Sequence, residues 1–179
     1  MPHQSLGQLL ALTLAQHSPA HISATTPAGT HLHWHSEGVL EITPAQAAPD
    51  AMALVLSAGI HGNETAPIEL FDRLLQAIAM DACVPQVRLL AILGNLPAIR
   101  AGVRYCKHDI NRLFNGHHQG VAGHEAARAA ELEQLVLAFF QCRHTVRAAA
   151  LRHAHSPPRL PYSTVCALPR DVGTHAPTT

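Results

Sequence analysis

Two side chains that can bind a metal ion follow an apolar run in the first half of the chain. His61 and Glu64 stand three positions apart, directly after the apolar and small residues 54–60. Sheets in α/β folds present their chemistry at the carboxyl ends of strands. An imidazole and a carboxylate suit a catalytic zinc held by two histidines and one glutamate. The pair predicts two zinc ligands, and the alternative is that His61 ends the strand while Glu64 caps the next helix.

A second group of polar side chains lies in the segment RYCKHDINRLF, residues 104–114. It contains Arg104, Asn111 and Arg112. Guanidinium groups bind carboxylates through paired hydrogen bonds, and an arginine beside a metal can stabilise a developing oxyanion. The segment therefore predicts a binding site for an acidic substrate. The alternative is that these arginines are ordinary solvated surface residues.

Alternating strand and helix patterns place these motifs in an α/β fold. Residues 52–58 form a continuous apolar run, which predicts a strand covered on both faces. Pro67 suits the first turn of a helix, and apolar residues then recur at helical spacing from Ile68 to Ile78. Residues 87–93 predict the next strand and complete a βαβ unit, which residues 94–97 end in a loop.

The flanking segments predict further elements around this unit. Residues 5–16 favour a short surface helix, and residues 124–140 favour an amphipathic one. Residues 31–35 alternate histidine with apolar residues, and Gly38 separates them from a second strand-like run at 39–43, which indicates an antiparallel pair. His31, His33 and His35 would share one strand face, either as a plain polar face or as a metal clasp.

Composition excludes several classes of partner. The chain has 179 residues, with 12 basic and 12 acidic side chains, so its formal charge predicts neither a nucleic-acid nor a membrane-surface partner. We find no apolar stretch long enough for a bilayer and no signal-peptide pattern at the start of the sequence. The 4 cysteines show no paired spacing. A cytoplasmic location is the resulting expectation.

Three ordered motifs resemble a known family. HGNETAP, LGNLPAIRAGVRY and DINRLFNG are similar, in order and spacing, to the aspartoacylase/succinylglutamate desuccinylase family of zinc-carboxypeptidase-like proteins. The resemblance runs from about Leu9 to about Phe140, and GIHGNETAP with RYCKHDINR favours the desuccinylase branch. It implies an α/β fold: an incomplete zinc-carboxypeptidase-like domain with a mixed sheet flanked by helices.

The resemblance also implies roles for matching residues. His61 and Glu64 would bind one Zn²⁺ per subunit, Arg104 would polarise the scissile carbonyl, and Asn111 with Arg112 would grip a substrate carboxylate. The implied reaction is hydrolysis of N-succinyl-L-glutamate to succinate and L-glutamate, in the succinyl-transfer route of arginine breakdown. Zinc would polarise the amide carbonyl and lower the pKa of its water to about 7.

The match ends near Phe140. The family's third zinc ligand, in a motif like Asp-Leu-His-Thr-Ala, and its general-base glutamate have no counterpart here, because the chain stops at roughly half the family's length. We therefore divide the chain into residues 1–141, the N-terminal part of a catalytic domain, and residues 142–179, a Pro- and His-rich tail expected to be poorly ordered. His153 or His155 in this tail is the alternative third ligand.

A reading-frame shift between about Phe140 and Arg147 would explain the departure. Read one base later, the codons for residues 151–156 permit Tyr-Asp-Met-His-Thr-Ala, which resembles the family's next segment. Two further hypotheses stay open from the sequence. The chain is a non-catalytic fragment or weak metal-binding module, or it is an aspartoacylase-like deacylase with another acyl preference.

Overall fold

The computed structural model describes residues 1–46 and 52–148, with side chains as far as residue 141. Within these residues the elements are five strands, five α-helices and a 3₁₀ turn. In chain order they are α1 (Pro2–Gly7), α2 (Leu9–Ala15), β1 (Ser23–Thr25), β2 (His31–Ser36), β3 (Val39–Thr43), β4 (Ala53–Ala58), α3 (Thr65–Ala79), β5 (Arg88–Leu93), α4 (Leu96–Ala101), the 3₁₀ turn Ile110–Arg112 and α5 (His124–Ala148).

The strands form one mixed sheet in the order β1-β2-β3-β5-β4. β1, β2, β3 and β5 pair antiparallel in turn, whereas β4 and β5 run parallel with Ala53 opposite Arg88 and Ala58 opposite Leu93. The predicted hairpin at residues 31–43 and the β4-α3-β5 unit are both confirmed. Because β4 and β5 are parallel, their carboxyl ends meet at one edge of the sheet.

Helices cover the two faces of the sheet. One core lies on the face that carries Leu40 and Leu93, where helices α1 to α4 pack. A second, smaller core joins Val39, Leu90 and Ile92 to the α5 side chains Leu132 and Phe139. The predicted apolar stripe of α3 is buried except for the partly buried Leu74. On α5, Leu132 and Phe139 are buried, and the other predicted core residues, Leu135 and Val136, are partly buried. The predicted fold class, a mixed sheet flanked by helices, is confirmed.

The prediction that residues 52–58 form a strand covered on both faces is wrong for the part of the chain that is described. β4 is an edge strand that pairs with β5 alone among the described strands. Leu54 and Leu56 are 43% and 37% exposed, while Val55 between them packs against the α5 core. The reason is that β4 lies at the edge of the described sheet, where no described element fully covers the face that carries Leu54 and Leu56.

Two helix boundaries also differ from expectation. Residues 5–16 belong to two helices, because Gln8, with ψ of 45°, interrupts them. Residues 96–97, predicted as loop, begin α4: the Asn95 side chain caps it by accepting a hydrogen bond from the Ala98 N–H at 3.3 Å. Pro97 fits this first turn because its missing N–H has no helical partner to lose.

The predicted tail falls almost wholly outside the described residues. The backbone of α5 is helical as far as Ala148, which is beyond the proposed boundary at residue 142. The tail's disorder, the frame-shift hypothesis, and His153 and His155 as ligands concern residues outside the described part, so they stay predictions.

Candidate active site

The turn after β4 brings His61 and Glu64 together. β4 ends at Ala58, Gly59 turns the chain with a φ of +66°, and Glu64 occupies the cap position before α3. His61 Nδ1 lies 2.9 Å from Glu64 Oε1. The imidazole is nearly buried, at 9% exposure, whereas the carboxylate is half exposed. The two predicted ligands therefore face each other at the mouth of the turn, where solvent and a cation can reach the carboxylate.

The second ring nitrogen of His61 faces another carboxylate. His61 Nε2 lies 3.2 Å from Oδ1 of Asp109, whose side chain is largely buried. Metal-binding histidines usually direct the other ring nitrogen at a carboxylate or carbonyl, which orients the ring and makes it a better ligand. The arrangement Asp109–His61–Glu64 has this form, with Nδ1 on the side where a metal would bind.

Sequence reasoning missed Asp109. The signal was present, because Asp109 stands two positions before Asn111 in the motif already singled out. The signal could not be interpreted, because a side chain that orients a metal ligand can lie in a different sequence motif from the ligand itself. His61 and Asp109 are 48 positions apart, and only the fold brings them together.

The loop that carries the predicted substrate-binding residues runs beside the same turn. The Gly62 N–H donates to the Arg104 carbonyl at 3.2 Å. Asp109 Oδ1 also accepts the Asn111 backbone N–H at 3.2 Å, and Asp109 Oδ2 lies 3.9 Å from Nε of Arg112. Asp109 thus connects the His61 turn to the Asn111–Arg112 turn. The side chains of Arg104, Asn111 and Arg112 are exposed, which fits both the predicted binding role and the alternative of solvated surface residues.

Close backbone packing holds the His61 turn in place. A Cβ atom at Gly62 would lie 2.0 Å from the carbonyl carbon of Ala98 and 2.3 Å from the Ile99 nitrogen. Ordinary contacts of a Cβ are 3.4 Å or longer. Glycine is therefore required at position 62, because the turn rests directly on the backbone of α4.

Two buried side chains of α5 hold the surrounding backbone. Glu125 Oε1 accepts the backbone N–H groups of Cys106 at 3.2 Å and Lys107 at 2.8 Å. Burial raises the pKa of Glu125, but backbone N–H groups including that of Lys107 outweigh it, so this pKa lies below its usual value. Arg128 donates to the carbonyls of Leu93 and Gly94 at 2.8 and 3.1 Å. α5 therefore anchors the end of β5 and also the loop of residues 104–112, which carries the predicted substrate-binding residues and is called the substrate-side loop below.

The described residues supply part of a ligand set that fits zinc. His61 Nδ1 and Glu64 Oε1 converge, and Asp109 orients the ring, which is the donor chemistry of a catalytic zinc site. Within residues 1–46 and 52–141, no third His, Cys, Asp or Glu joins His61 and Glu64 in a metal-binding cluster. The described part thus contains two candidate ligands for a site that is expected to have three protein ligands.

The histidine face of β2 has other partners. His35 Nε2 lies 2.8 Å from Glu41 Oε2, and Arg88 donates to Glu41 Oε1 at 2.7 Å. The His35 hydrogen bond and the Arg88 cation outweigh burial and lower the pKa of Glu41 to about 2. Ser23 Oγ lies 2.6 Å from His33 Nδ1. In the part of the chain described, these histidines form no metal-binding group, which favours the polar-face alternative.

The fold belongs to the α/β class, and the candidate site lies at the carboxyl end of a parallel strand, β4. The match to a family is more specific. The chain belongs to the succinylglutamate desuccinylase/aspartoacylase family, whose catalytic-domain model matches residues 50–150.

Named relatives agree with this assignment. Over 136 residues the chain is 54% identical to a succinylglutamate desuccinylase of Pseudomonas putida, an alignment that covers 76% of this chain and 41% of the relative. The crystal structure of succinylglutamate desuccinylase from Chromobacterium violaceum matches with a TM-score of 0.67 at 40% identity, covering 75% of this chain and 43% of that one. The Vibrio cholerae enzyme matches with a TM-score of 0.69 at 34% identity, covering 74% and 39%.

The chain thus spans about two fifths of the length of the curated relatives it matches. The predicted resemblance is confirmed, including its restriction to part of the family's length. In the described residues, no helix combines the length and apolar character needed to cross a bilayer.

Proposed function

We propose that this chain carries the first two zinc ligands and the substrate-binding loop of a hydrolase that cleaves N-succinyl-L-glutamate to succinate and L-glutamate. The observation that carries the proposal is the set of contacts around His61, with Glu64 on Nδ1 and Asp109 on Nε2. Membership of the family supports the activity class, and relatives at 53–54% identity named succinylglutamate desuccinylase favour that substrate over acetyl-aspartate.

Each residue of the site has a distinct role in this proposal. His61 and Glu64 would hold the metal, and Asp109 fixes the orientation of the imidazole by accepting a hydrogen bond from its Nε2–H. Zinc, when bound, polarises the scissile carbonyl and supplies an acidic water. Asn111 and Arg112 bind a carboxylate of the substrate, and Arg104 stabilises negative charge at the carbonyl oxygen. A substrate with several carboxylates explains why exposed cationic side chains gather beside the turn.

The third zinc ligand and the general base are not part of the site that is described. From the described residues we expect zinc and substrate to bind, and the proposal includes an absence of hydrolysis by the 179-residue chain. A cytoplasmic location and a place in arginine catabolism belong to the same proposal. An aspartoacylase-like preference for another acyl group is its nearest competitor, because the family model includes both activities.

Zinc binding tests the ligand assignment. We expect His61→Ala to lower by one the number of zinc ions bound per chain, measured by competition with a chromogenic chelator. We expect Asp109→Asn to weaken binding at the His61 site by about 10- to 100-fold, since the ring loses its orienting carboxylate. His21→Ala, at an exposed position away from the turn, is the matched control and should leave affinity unchanged. An equal number of zinc ions bound by the wild-type chain and by His61→Ala would refute the assignment.

Substrate binding tests the loop. Isothermal titration of the zinc-loaded chain should show tighter binding of N-succinylglutamate than of acetyl-aspartate. Arg112→Gln should weaken binding, whereas Arg73→Gln, an exposed arginine of α3, should not. Preference for acetyl-aspartate would favour the aspartoacylase-like alternative. Release of glutamate that is lost in His61→Ala would show that the chain itself turns over and would overturn the expected absence of hydrolysis.

A further inference from the structure

A second group of metal-binding atoms lies at the start of α5 and shares no residue with the proposed active site. Cys106, His124 and Glu125 each place one ligand atom within 4.8 Å of the other two. His124 Nε2 lies 3.2 Å from Glu125 Oε1. Thiolate, imidazole and carboxylate together are the donors that zinc and similar borderline metals prefer.

Glu125 gives this group a rigid base. Its side chain has no exposed surface, and Oε1 accepts the backbone N–H groups of Cys106 and Lys107. The carboxylate therefore fixes the backbone that carries Cys106, while its own position in α5 directly follows His124. Three ligands from two segments are thus tied together before any ion arrives.

The other carboxylate oxygen is the independent sign of a missing partner. Glu125 Oε2 is buried, and in the described part of the protein it accepts no hydrogen bond. Buried carboxylate oxygens are normally paired, since an unpaired one retains the full cost of losing water. A cation bound beside Glu125 would supply the missing interaction.

The remaining two ligands can complete such a site by small movements. Cys106 and His124 are exposed, so their side chains can rotate without disturbing the core. Zinc bonds of about 2.0 to 2.3 Å require the three ligand atoms to lie closer together than 4.8 Å. Rotation of the exposed Cys106 and His124 side chains can bring them closer. Three protein ligands would leave a fourth position for water.

We propose that Cys106, His124 and Glu125 form a second divalent-cation site, of zinc type, that ties the substrate-side loop to α5. The proposal does not depend on the function proposed for His61. The role of this second site would be structural or regulatory, because an ion bound there would hold the backbone at Cys106, two residues beyond Arg104.

Cobalt absorption tests this site directly, because Co²⁺ bound to a thiolate gives a near-ultraviolet charge-transfer band that nitrogen and oxygen ligands do not give. The full chain, freed of metal, is titrated with Co²⁺ alone. The band should appear, should be absent in Cys106→Ser, and should persist in His61→Ala. His124→Ala should weaken Co²⁺ binding by at least about tenfold, the effect of losing even a supporting residue.

Controls separate Cys106 from the other thiols. The chain contains 4 cysteines, so a variant with Cys83→Ser, Cys142→Ser and Cys166→Ser retains Cys106 alone and should keep the band. Absence of the band in the wild-type chain, or its persistence in Cys106→Ser, would overturn the proposal. If the triple variant does not fold, the single changes Cys106→Ser and His124→Ala still decide. Loss of the band only in His61→Ala would also overturn it, by assigning the ion to the other site.

Discussion

Gly62→Ala should destabilise the protein more than any other single added methyl group in the His61 turn. The new Cβ would meet the Ala98 carbonyl carbon at 2.0 Å, its oxygen at 2.2 Å and the Ile99 nitrogen at 2.3 Å. Relief requires a displacement of more than about 1 Å. These atoms belong to backbone, so no side-chain rotation can provide it, and Ala98 is itself fully buried.

The magnitude follows from what must move. Overpacking typically costs about 1 to 3 kcal/mol, and a clash between two backbones belongs at the upper end or above it. We expect a loss of about 3 kcal/mol in the free energy of unfolding. Gly102→Ala is the matched control: its φ of +64° is unfavourable for alanine, yet nothing lies within 4 Å of the added atom. Strain alone should cost it about 1 kcal/mol.

Urea unfolding measures both variants. The single tryptophan, Trp34, lies in the larger core and reports its loss by fluorescence. A second readout is zinc affinity, which should fall in Gly62→Ala because His61 is displaced from Asp109. The reasoning from backbone contact is wrong if the free energy of unfolding of Gly62→Ala lies within about 0.5 kcal/mol of the wild-type value. It is also wrong if Gly102→Ala lowers the free energy of unfolding more than Gly62→Ala does.

Three further outcomes are expected. Glu41 has a pKa lowered to about 2, so its interactions contribute stability above about pH 4.5 that is lost as the pH falls towards 2; Glu41→Gln should remove this contribution, about 1 to 3 kcal/mol, and flatten the acid limb of a stability–pH curve. Arg128→Met should cost about 2 to 4 kcal/mol in urea unfolding because two buried carbonyls lose their donor, whereas Arg112→Met, at a site 85% exposed, should change stability by less than about 0.5 kcal/mol. Leu56→Lys on the exposed face of β4 should leave stability nearly unchanged and reduce association in sedimentation experiments; unchanged or increased association would contradict it.

Local patterns predicted the elements whose neighbours are close in sequence. Alternation in residues 31–43 gave the β2–β3 hairpin, and the spacing from Ile68 to Ile78 gave the buried face of α3. Both signals are strong because one side of the element meets the core and the other meets water. The His61–Glu64 contact was predicted because the pair stands only three positions apart.

Features that depend on distant partners could not be predicted in this way. An apolar run such as residues 53–58 predicts a strand but not its place in the sheet, so the exposure of Leu54 was missed. Asp109 was missed because its contact with His61 exists only after β5 and the following loop have passed beside the turn. α4 was missed because Gly94 and Pro97 were interpreted as loop residues, although Asn95 and Pro97 are also the signals that begin a helix.

The strand order has a consequence for how the protein is made. β5 lies between β3 and β4 but is synthesised after both. While β5 is still inside the ribosome, β4 has emerged without its partner among the described strands, for roughly two to seven seconds at ordinary translation rates. During that interval the apolar strand is a natural target for chaperones, and the His61 turn has no fixed position. β5 is therefore inserted last, between the antiparallel strands β1 to β3 and the unpaired β4, and its pairing fixes the position of the His61 turn.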